Sequence, residues 1–295
     1  MNGDPNSRAP NLSRAEVNGV TFTNHVSGFP LCCPFRGSLL ASRYPHHCVP
    51  GHEYPLPAGQ RTIADVFNEN GYHTAYFGKW HLGGWHERDG RAAFFITDPA
   101  RRGGVQTWTG YAMIENLDWN YGRVVQSLEH SGLLFNTHIF FFADHGDMHG
   151  SQGMLRKTCP FEESIRTPYT ISGGLPRYGG NGRLPVVSNH VDIAPTTLGL
   201  CGIRKPEWME GTDLSHHRLG RPAAGPEPDS AYLQNVIPTG HPNSINTPYR
   251  GLVTRNGWKY VCFENRSWLL FNLNDDPYEE ANQAQNNRHR AERKN

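Results

Sequence analysis

"RTIADVFNENGYHTAYFGKWHLG", residues 61–83, reads as a helix, a turn and a strand. Ile63, Val66 and Phe67 share one face at helical spacing. Gly71 ends the helix, and "HTAYFG" (73–78) follows with the β-branched and aromatic residues of a strand. That strand breaks off in Lys79-Trp80-His81. The same alternation runs along the chain. "GVTFTNHV" (19–26) is a strand after an Asn-Gly turn signal. Residues 37–42 open a helix. From 112 to 130, Met113, Leu117, Val124 and Leu128 form an apolar helical stripe. "HIFFFADHGD" (138–147) is a strand that ends on Asp144 and His145, and "PYTISG" (168–173) is another. "NHVDIAPTTLGLCGI" (189–203) is a helix with Asp192 as cap and Pro195 in its first turn. Alternating strands and helices imply an α/β sandwich around a mostly parallel sheet. In such folds a site lies beyond the carboxyl ends of the strands.

From about Lys205 the texture changes to Pro, Gly and His. Two or three antiparallel strands follow, with Asn256-Gly257 as a hairpin turn. The expected division is residues 1–204 and a small C-terminal subdomain, 205–295. The last ten residues, "NNRHRAERKN", are expected to be a frayed or helical end.

Composition excludes several classes. The 295 residues carry a net charge of +1, so no global field favours nucleic acid or an anionic membrane. No apolar run is long enough to span a bilayer. Six cysteines without a Cys-x-x-Cys pair make neither a disulfide scaffold nor a zinc ribbon. The first residues have no charged start followed by an apolar core, so a signal peptide is not expected. Either the protein is cytoplasmic or its true start lies upstream.

Four polar clusters stand out. Asp144-His145-Gly146 could ligate a divalent cation or be a polar loop with a turn glycine. Lys79 and His81, at alternate positions, could grip an oxyanion or simply be a solvated strand end. Lys157 precedes Glu162, Glu163 and Arg166, which are either a surface salt-bridge group or a pin for the loop carrying Lys157. In "FPLCCPFRGSLL" (29–40), Cys32 and Cys33 could be structural thiols, metal ligands or, beside Arg36, a nucleophile.

Read in order, these stretches resemble the sulfatase family. "CCPFRGSLL" (32–40) matches its Cys-x-Pro-x-Arg-x-x-Leu-Leu signature, and "GYHTAYFGKWHLG" (71–83) matches its second. "FFADHGDMHGSQG" (141–153) and "KTCPFEESIRTP" (157–168) match its metal and oxyanion segments. "NHVDIAPTTLGLCGI" and "WLLFNLNDDPYEEANQ" (268–283) look like its later blocks. The resemblance covers almost the whole chain. It implies an alkaline-phosphatase-like α/β/α sandwich and hydrolysis of sulfate monoesters. It further implies that Cys32 is converted to formylglycine, whose hydrate attacks sulfur and then expels sulfate, with Cys33 a variable spacer. Arg36 would stabilise the charged hydrate. Lys79, His81 and Lys157 would hold the nucleophile and sulfate oxygens. Asp144, His145 and the group derived from Cys32 would bind Ca2+ or another divalent cation acting as a Lewis acid. The implied partners are a sulfated small molecule or sugar sulfate and a formylglycine-generating or maturase enzyme. Family members are often periplasmic, secreted or lysosomal.

The chain also departs from the family pattern. Phe35 stands where Ser is usual, and Ala41-Ser42 where Thr-Gly is usual. The early strand ending in Asp-Asp, which supplies two calcium ligands, is not found. Only about thirty residues separate His81 from Tyr111, too few for the family's middle segment with its βαβ crossover. The expectation is therefore a sulfatase by descent with an incomplete calcium site, poorly active or inactive as it stands. Alternatives are a phosphonate or phosphate monoester hydrolase and a non-catalytic oxyanion-binding homologue. A Cys32–Cys48 disulfide is the remaining, structural possibility.

Overall fold

The computed structural model of the protein describes residues 7–83, 107–174, 179–240 and 245–289. Its central sheet has the order β2-β3-β1-β4, from β1 (Val20–Val26), β2 (His138–Phe142), β3 (Tyr169–Gly173) and β4 (Gly182–Asn189). β1 pairs in parallel with β4, while β3 runs antiparallel to both β1 and β2. Three strands thus point one way and β3 is reversed, which makes the sheet mixed. The carboxyl ends of β1 and β2 emerge at the same edge. There the Ser27 hydroxyl donates to the Asp144 carbonyl at 2.6 Å.

α2 (Cys32–Ala41) begins five residues before the helix expected from Gly37. The start signal is Pro34, which the first turn tolerates because its amides have no intrahelical acceptor. Phe35 is buried against Phe142 and His190, at ring separations of 6.2 and 5.3 Å. The departure from Ser at this position therefore fills the core between α2 and the sheet. α3 (Ile63–Glu69) forms as expected, with a Thr62–Asp65 capping box and Gly71 at φ +81° past its end.

One expected strand fails here, while an expected helix forms with its apolar stripe outward. Residues 73–78 do not form a strand, and they lie exposed. Strand propensity is not sufficient without a sheet edge to pair with. The apolar stripe of α4 (Thr107–His130) is not buried either: Leu117 is 54% exposed, and Met113 and Val124 also face outward. The helix is turned instead by Asp118, only 3% exposed. Its carboxylate accepts the Asn11 and Leu12 amides at 3.2 and 2.8 Å. These amides lie in the first turn of α1 (Pro10–Val17), which has no side-chain cap of its own. A cavity of about 640 Å³ opens between α1, α4 and the β2 edge, lined by Trp119, Phe135 and Ile139 among others and by none of the four polar clusters.

Asp192 sits ahead of α6 (Ile193–Leu200) but does not cap it. Its carboxylate accepts the Asn189 and Thr212 amides, both at 2.7 Å, and Asn189 supplies the side-chain cap to His190. Beyond α7 (Ser215–Leu219) comes a second, antiparallel sheet in sequential order. It consists of β5 (Ser230–Asn235), β6 (Tyr249–Thr254), β7 (Trp258–Phe263) and β8 (Arg266–Asn272). This is one strand more than expected, β5 having hidden in "SAYLQN". Gly257 at φ +87° makes the expected β6–β7 turn. Val26, Met148, Phe161, Ile165 and Val187 share one buried cluster with Leu233, Tyr249, Val261 and Phe271 of this sheet. Asn287–His289 form a single 3-10 turn, and residues 290–295 lie outside the described residues.

Asp118→Ala should destabilise the protein by about 1–2 kcal/mol, the usual loss for a cap, read as a lowered urea midpoint. An unchanged midpoint would show that α1 does not depend on α4. A pH effect follows from His25 and His190, both fully buried. Burial, with the charges of His190 and Arg166, lowers the His25 pKa to about 3, and burial alone lowers that of His190 to about 3. Both are neutral when folded. Stability is complete above about 6.5, where the unfolded histidines are also neutral, and is lost as pH falls toward 3. Asp192, raised by burial to about 6, opposes this over a narrower window. The unfolding free energy from urea titration should fall between pH 7 and pH 5 by on the order of 1–2 kcal/mol per histidine.

Candidate active site

The first residue of α2, Cys32, is 6% exposed and lies at the positive end of the helix. Its Sγ is 3.3 Å from His145 Nε2 and receives Lys157 Nζ at 3.2 Å. His81 lies near enough to favour its anion as well. Burial alone would raise the thiol's pKa. Hydrogen bonds from His145 and His81, with the charges of His145 and Lys157, outweigh burial and bring it down to about 2. The His81 pKa is raised in turn to about 9 by its bonds to Cys32 and Cys33, against the opposing effect of burial.

Asp144 supplies the carboxylate. Its Oδ2 is 3.7 Å from Arg36 Nη2 and its Oδ1 is 3.6 Å from His145 Nε2. His145 Nδ1 lies 2.8 Å from the Gly146 carbonyl. That contact orients the ring so that Nε2 faces Cys32 and Asp144. Cys32, Asp144 and His145 each place one donor atom within 4.8 Å of the others. Gly146 is required where it stands: a Cβ there would lie 1.9 Å from the Glu163 carbonyl oxygen. That close approach lets the Gly146 amide donate to Ser164 at 2.8 Å, fastening the Asp144 loop to the Lys157 loop.

The Lys157 loop is pinned rather than decorated by its acids. In α5 (Glu162–Ile165), Glu162 accepts Arg166 Nε at 2.7 Å, and Arg166 also reaches the Thr23 carbonyl and Asn24 on β1. From β7, the fully buried Lys259 donates to the Pro160 carbonyl at 2.8 Å, to Glu162 at 3.1 Å and to Glu279.

The structure thus brings together Cys32, His81, Asp144, His145 and Lys157. Arg36 stands behind Asp144, bonded to the Tyr76 hydroxyl and the Lys79 carbonyl. The Lys79 side chain stays exposed on the rim, following from the unformed 73–78 strand. Sequence reasoning missed Tyr76 and His52, and treated Cys33 as a spacer. Cys33 is fully buried, accepts the Glu53 amide at 3.3 Å and forms a second donor group with His52 and His81. No spacing signal links residues 33, 52 and 81. All six cysteines are free, so Cys32 and Cys48 are not bridged.

The sulfatase family model matches residues 1–112 and 105–203. The chain belongs to the sulfatase family, and is by class a sulfuric ester hydrolase. It is 26% identical to an ulvan-active sulfatase of Formosa agariphila over 95% of this chain and 73% of that protein. It is 33% identical to a choline-sulfatase of Rhizobium meliloti over 60% of this chain but only 33% of that protein. Among solved structures, the phosphonate monoester hydrolase of Agrobacterium radiobacter superposes with TM-score 0.79 at 18% identity, covering 99% of this chain and 89% of that one. A protein solved with its substrate D-glucosamine-2-N,6-O-disulfate gives TM-score 0.78 at 17% identity, over 98% and 91%. The fold is therefore that of the alkaline-phosphatase-like α/β enzymes.

In the unconverted protein, iodoacetamide should alkylate Cys32 nearly as fast at pH 5.5 as at pH 8. An ordinary thiol would slow roughly 200-fold over that range. Peptide mass mapping of alkylation gives the rates. Lys157→Met and His145→Ala should each restore a steep pH dependence. A steep dependence in the unsubstituted protein would refute the anion-stabilising geometry.

Proposed function

We propose that the chain hydrolyses sulfate monoesters of sugars at Cys32, after that residue's conversion to formylglycine. The observation that carries this is the charge arrangement. Lys157 donates to one buried atom that His145 and His81 also flank, with Arg36 close behind and Asp144 the carboxylate beside them among the described residues. Such a cluster stabilises negative charge wherever it develops near position 32. It suits a tetrahedral oxyanion better than a neutral carbonyl substrate.

When bound, formylglycine supplies a hydrated aldehyde as nucleophile and a divalent cation supplies Lewis acidity. The donors present fit both in kind. Position 32 becomes an oxygen ligand on conversion, and Asp144 with the Nε2 of His145 completes a group suited to a hard or borderline cation. Lys157 and His81 hold anionic oxygens by charge-assisted hydrogen bonds. Arg36 orients Asp144 and closes the 76–79 segment over α2. Lys79, on the rim, is placed to attract the anionic group before it seats. Three donors among the described residues are few for calcium, which prefers six to eight. Calcium should therefore bind only in about the millimolar range, and turnover of this chain should be low.

The ulvan-active relative and the glucosamine disulfate bound in the structural neighbour support a sulfated sugar as substrate. The phosphonate hydrolase neighbour supports a second possibility, a phosphonate monoester, because the cationic cluster does not distinguish the two anions.

Co-expression with a formylglycine-generating enzyme, then mass analysis of the Cys32 peptide and assay of nitrophenyl sulfate and phosphonate esters, tests the proposal. The expected result is conversion of Cys32 and a kcat/KM that favours sulfate. Cys32→Ala should abolish turnover, and Lys157→Ala should lower kcat/KM by about 10²–10³. Turnover surviving in Cys32→Ala, or a preference for phosphonate, would overturn it.

A further inference from the structure

A second set of metal-ligating side chains lies at the other end of the central sheet. His216 and His217 are consecutive residues of α7, and Glu227 comes from the segment leading into β5. Glu227 Oε1 is 3.0 Å from Nε2 of His216 and 3.0 Å from Nε2 of His217. The two rings are 4.0 Å apart. One donor atom from each of the three residues lies within 4.8 Å of the others. A tetrahedral zinc with bonds of about 2.0–2.1 Å spaces its ligand atoms about 3.3 Å apart. Both Oε1–Nε2 separations are close to that edge.

Hydrogen bonding to the carboxylate accounts for His216, whose Nε2 bonds Oε1 at 3.0 Å. It does not account for His217. That Nε2 is buried and has no well-aligned hydrogen bond among the described residues, although it points at the same oxygen. Its ring is held edge-on against Phe22, near the start of β1, at 5.7 Å. The three side chains are 11%, 16% and 27% exposed, which leaves room for a water as fourth ligand. Arg255 Nη2, 3.5 Å from Glu227 Oε2, steadies the other carboxylate oxygen and leaves Oε1 toward the histidines.

We propose that His216, His217 and Glu227 form a structural zinc site that clasps the 220–228 segment onto α7. Two imidazoles and one carboxylate oxygen suit zinc better than calcium or magnesium. The ion would tie the connection between the two sheets to the foot of β1, far from the Cys32 edge. Its role is to hold the fold, and it takes no part in the chemistry at Cys32.

The test uses the full chain carrying Cys32→Ala and Cys33→Ala, which removes the two thiol-containing donor groups. Calorimetric titration with ZnCl2 should show one equivalent bound, and zinc should raise the melting temperature. Cobalt should give visible d–d bands of a four-coordinate ion without a thiolate charge-transfer band. Adding Glu227→Gln or His217→Asn should weaken zinc binding at least about tenfold and abolish the thermal shift. If Glu227→Gln does not fold, His217→Asn, which keeps a polar side chain at that position, decides the matter. Failure of the double cysteine variant to bind zinc, or unchanged affinity in His217→Asn, would overturn the proposal.

Discussion

One buried ammonium organises the edge that carries the candidate site. Lys259 projects from β7 into the shared core and is fully buried. An isolated charge there would be strongly destabilising, so its position requires partners. It finds the Pro160 carbonyl, Glu162 and Glu279. Burial works against charge on Glu162, but Lys259 and Arg166 outweigh it and hold its carboxyl below the usual range. Burial pushes the Glu279 carboxyl up. Glu279 also accepts the Glu162 amide at 2.7 Å, so the acids are locked to each other's backbone as well as to the lysine. The loop from 157 to 166 has little regular structure beyond the four residues of α5. Its shape comes from this network and from Arg166 on β1. Lys157 can meet Cys32 because the C-terminal sheet holds its loop from behind.

The cationic cluster and this network depend on each other. The cluster needs rigid placement, since three donors crowded around an unfixed thiol would repel one another apart. The Gly146–Ser164 bond supplies one constraint and the Thr158 amide, donating to the Pro30 carbonyl at 3.2 Å, supplies another. The first ties together the two ends of the β2–β3 connection, and the second joins that connection to the loop after β1. The site is therefore assembled from the ends of β1 and β2, the start of α2 and a loop braced by β7.

Much of this was legible in the sequence, for identifiable reasons. Strands β1, β2 and β3 carry dense β-branched and aromatic runs, and Asp144 and His145 sit just past the end of β2 with Cys32 a few residues past the end of β1. Glu162 and Arg166 were ambiguous because a sequence does not show burial; Lys259, nearly a hundred residues on, decides their role. Residues 73–78 misled because strand propensity names a candidate without naming a neighbour. α4 misled in the opposite way. Its apolar stripe suggested burial, but a buried carboxylate bonded to the free amides of α1 sets its rotation. Pro34 was read as part of a signature, when it was also the mark of a helix start. His52 and Cys33 were invisible as a pair, because only the folded path of the chain brings them to His81.

The position of Arg36 bears on the order of events in the protein's biosynthesis. In the folded chain its guanidinium is already engaged by the Lys79 carbonyl, the Tyr76 hydroxyl and Asp144, and Cys32 and Pro34 are both buried. An enzyme that reads Cys-x-Pro-x-Arg as a linear epitope finds Cys32 and Pro34 buried and the Arg36 side chain, 21% exposed, already engaged in the folded chain. If Cys32 is converted as proposed, its oxidation has to precede closure of α2 onto the sheet, while the nascent segment is still extended. The same contacts that make the mature site anion-stabilising thus set a time limit on its maturation.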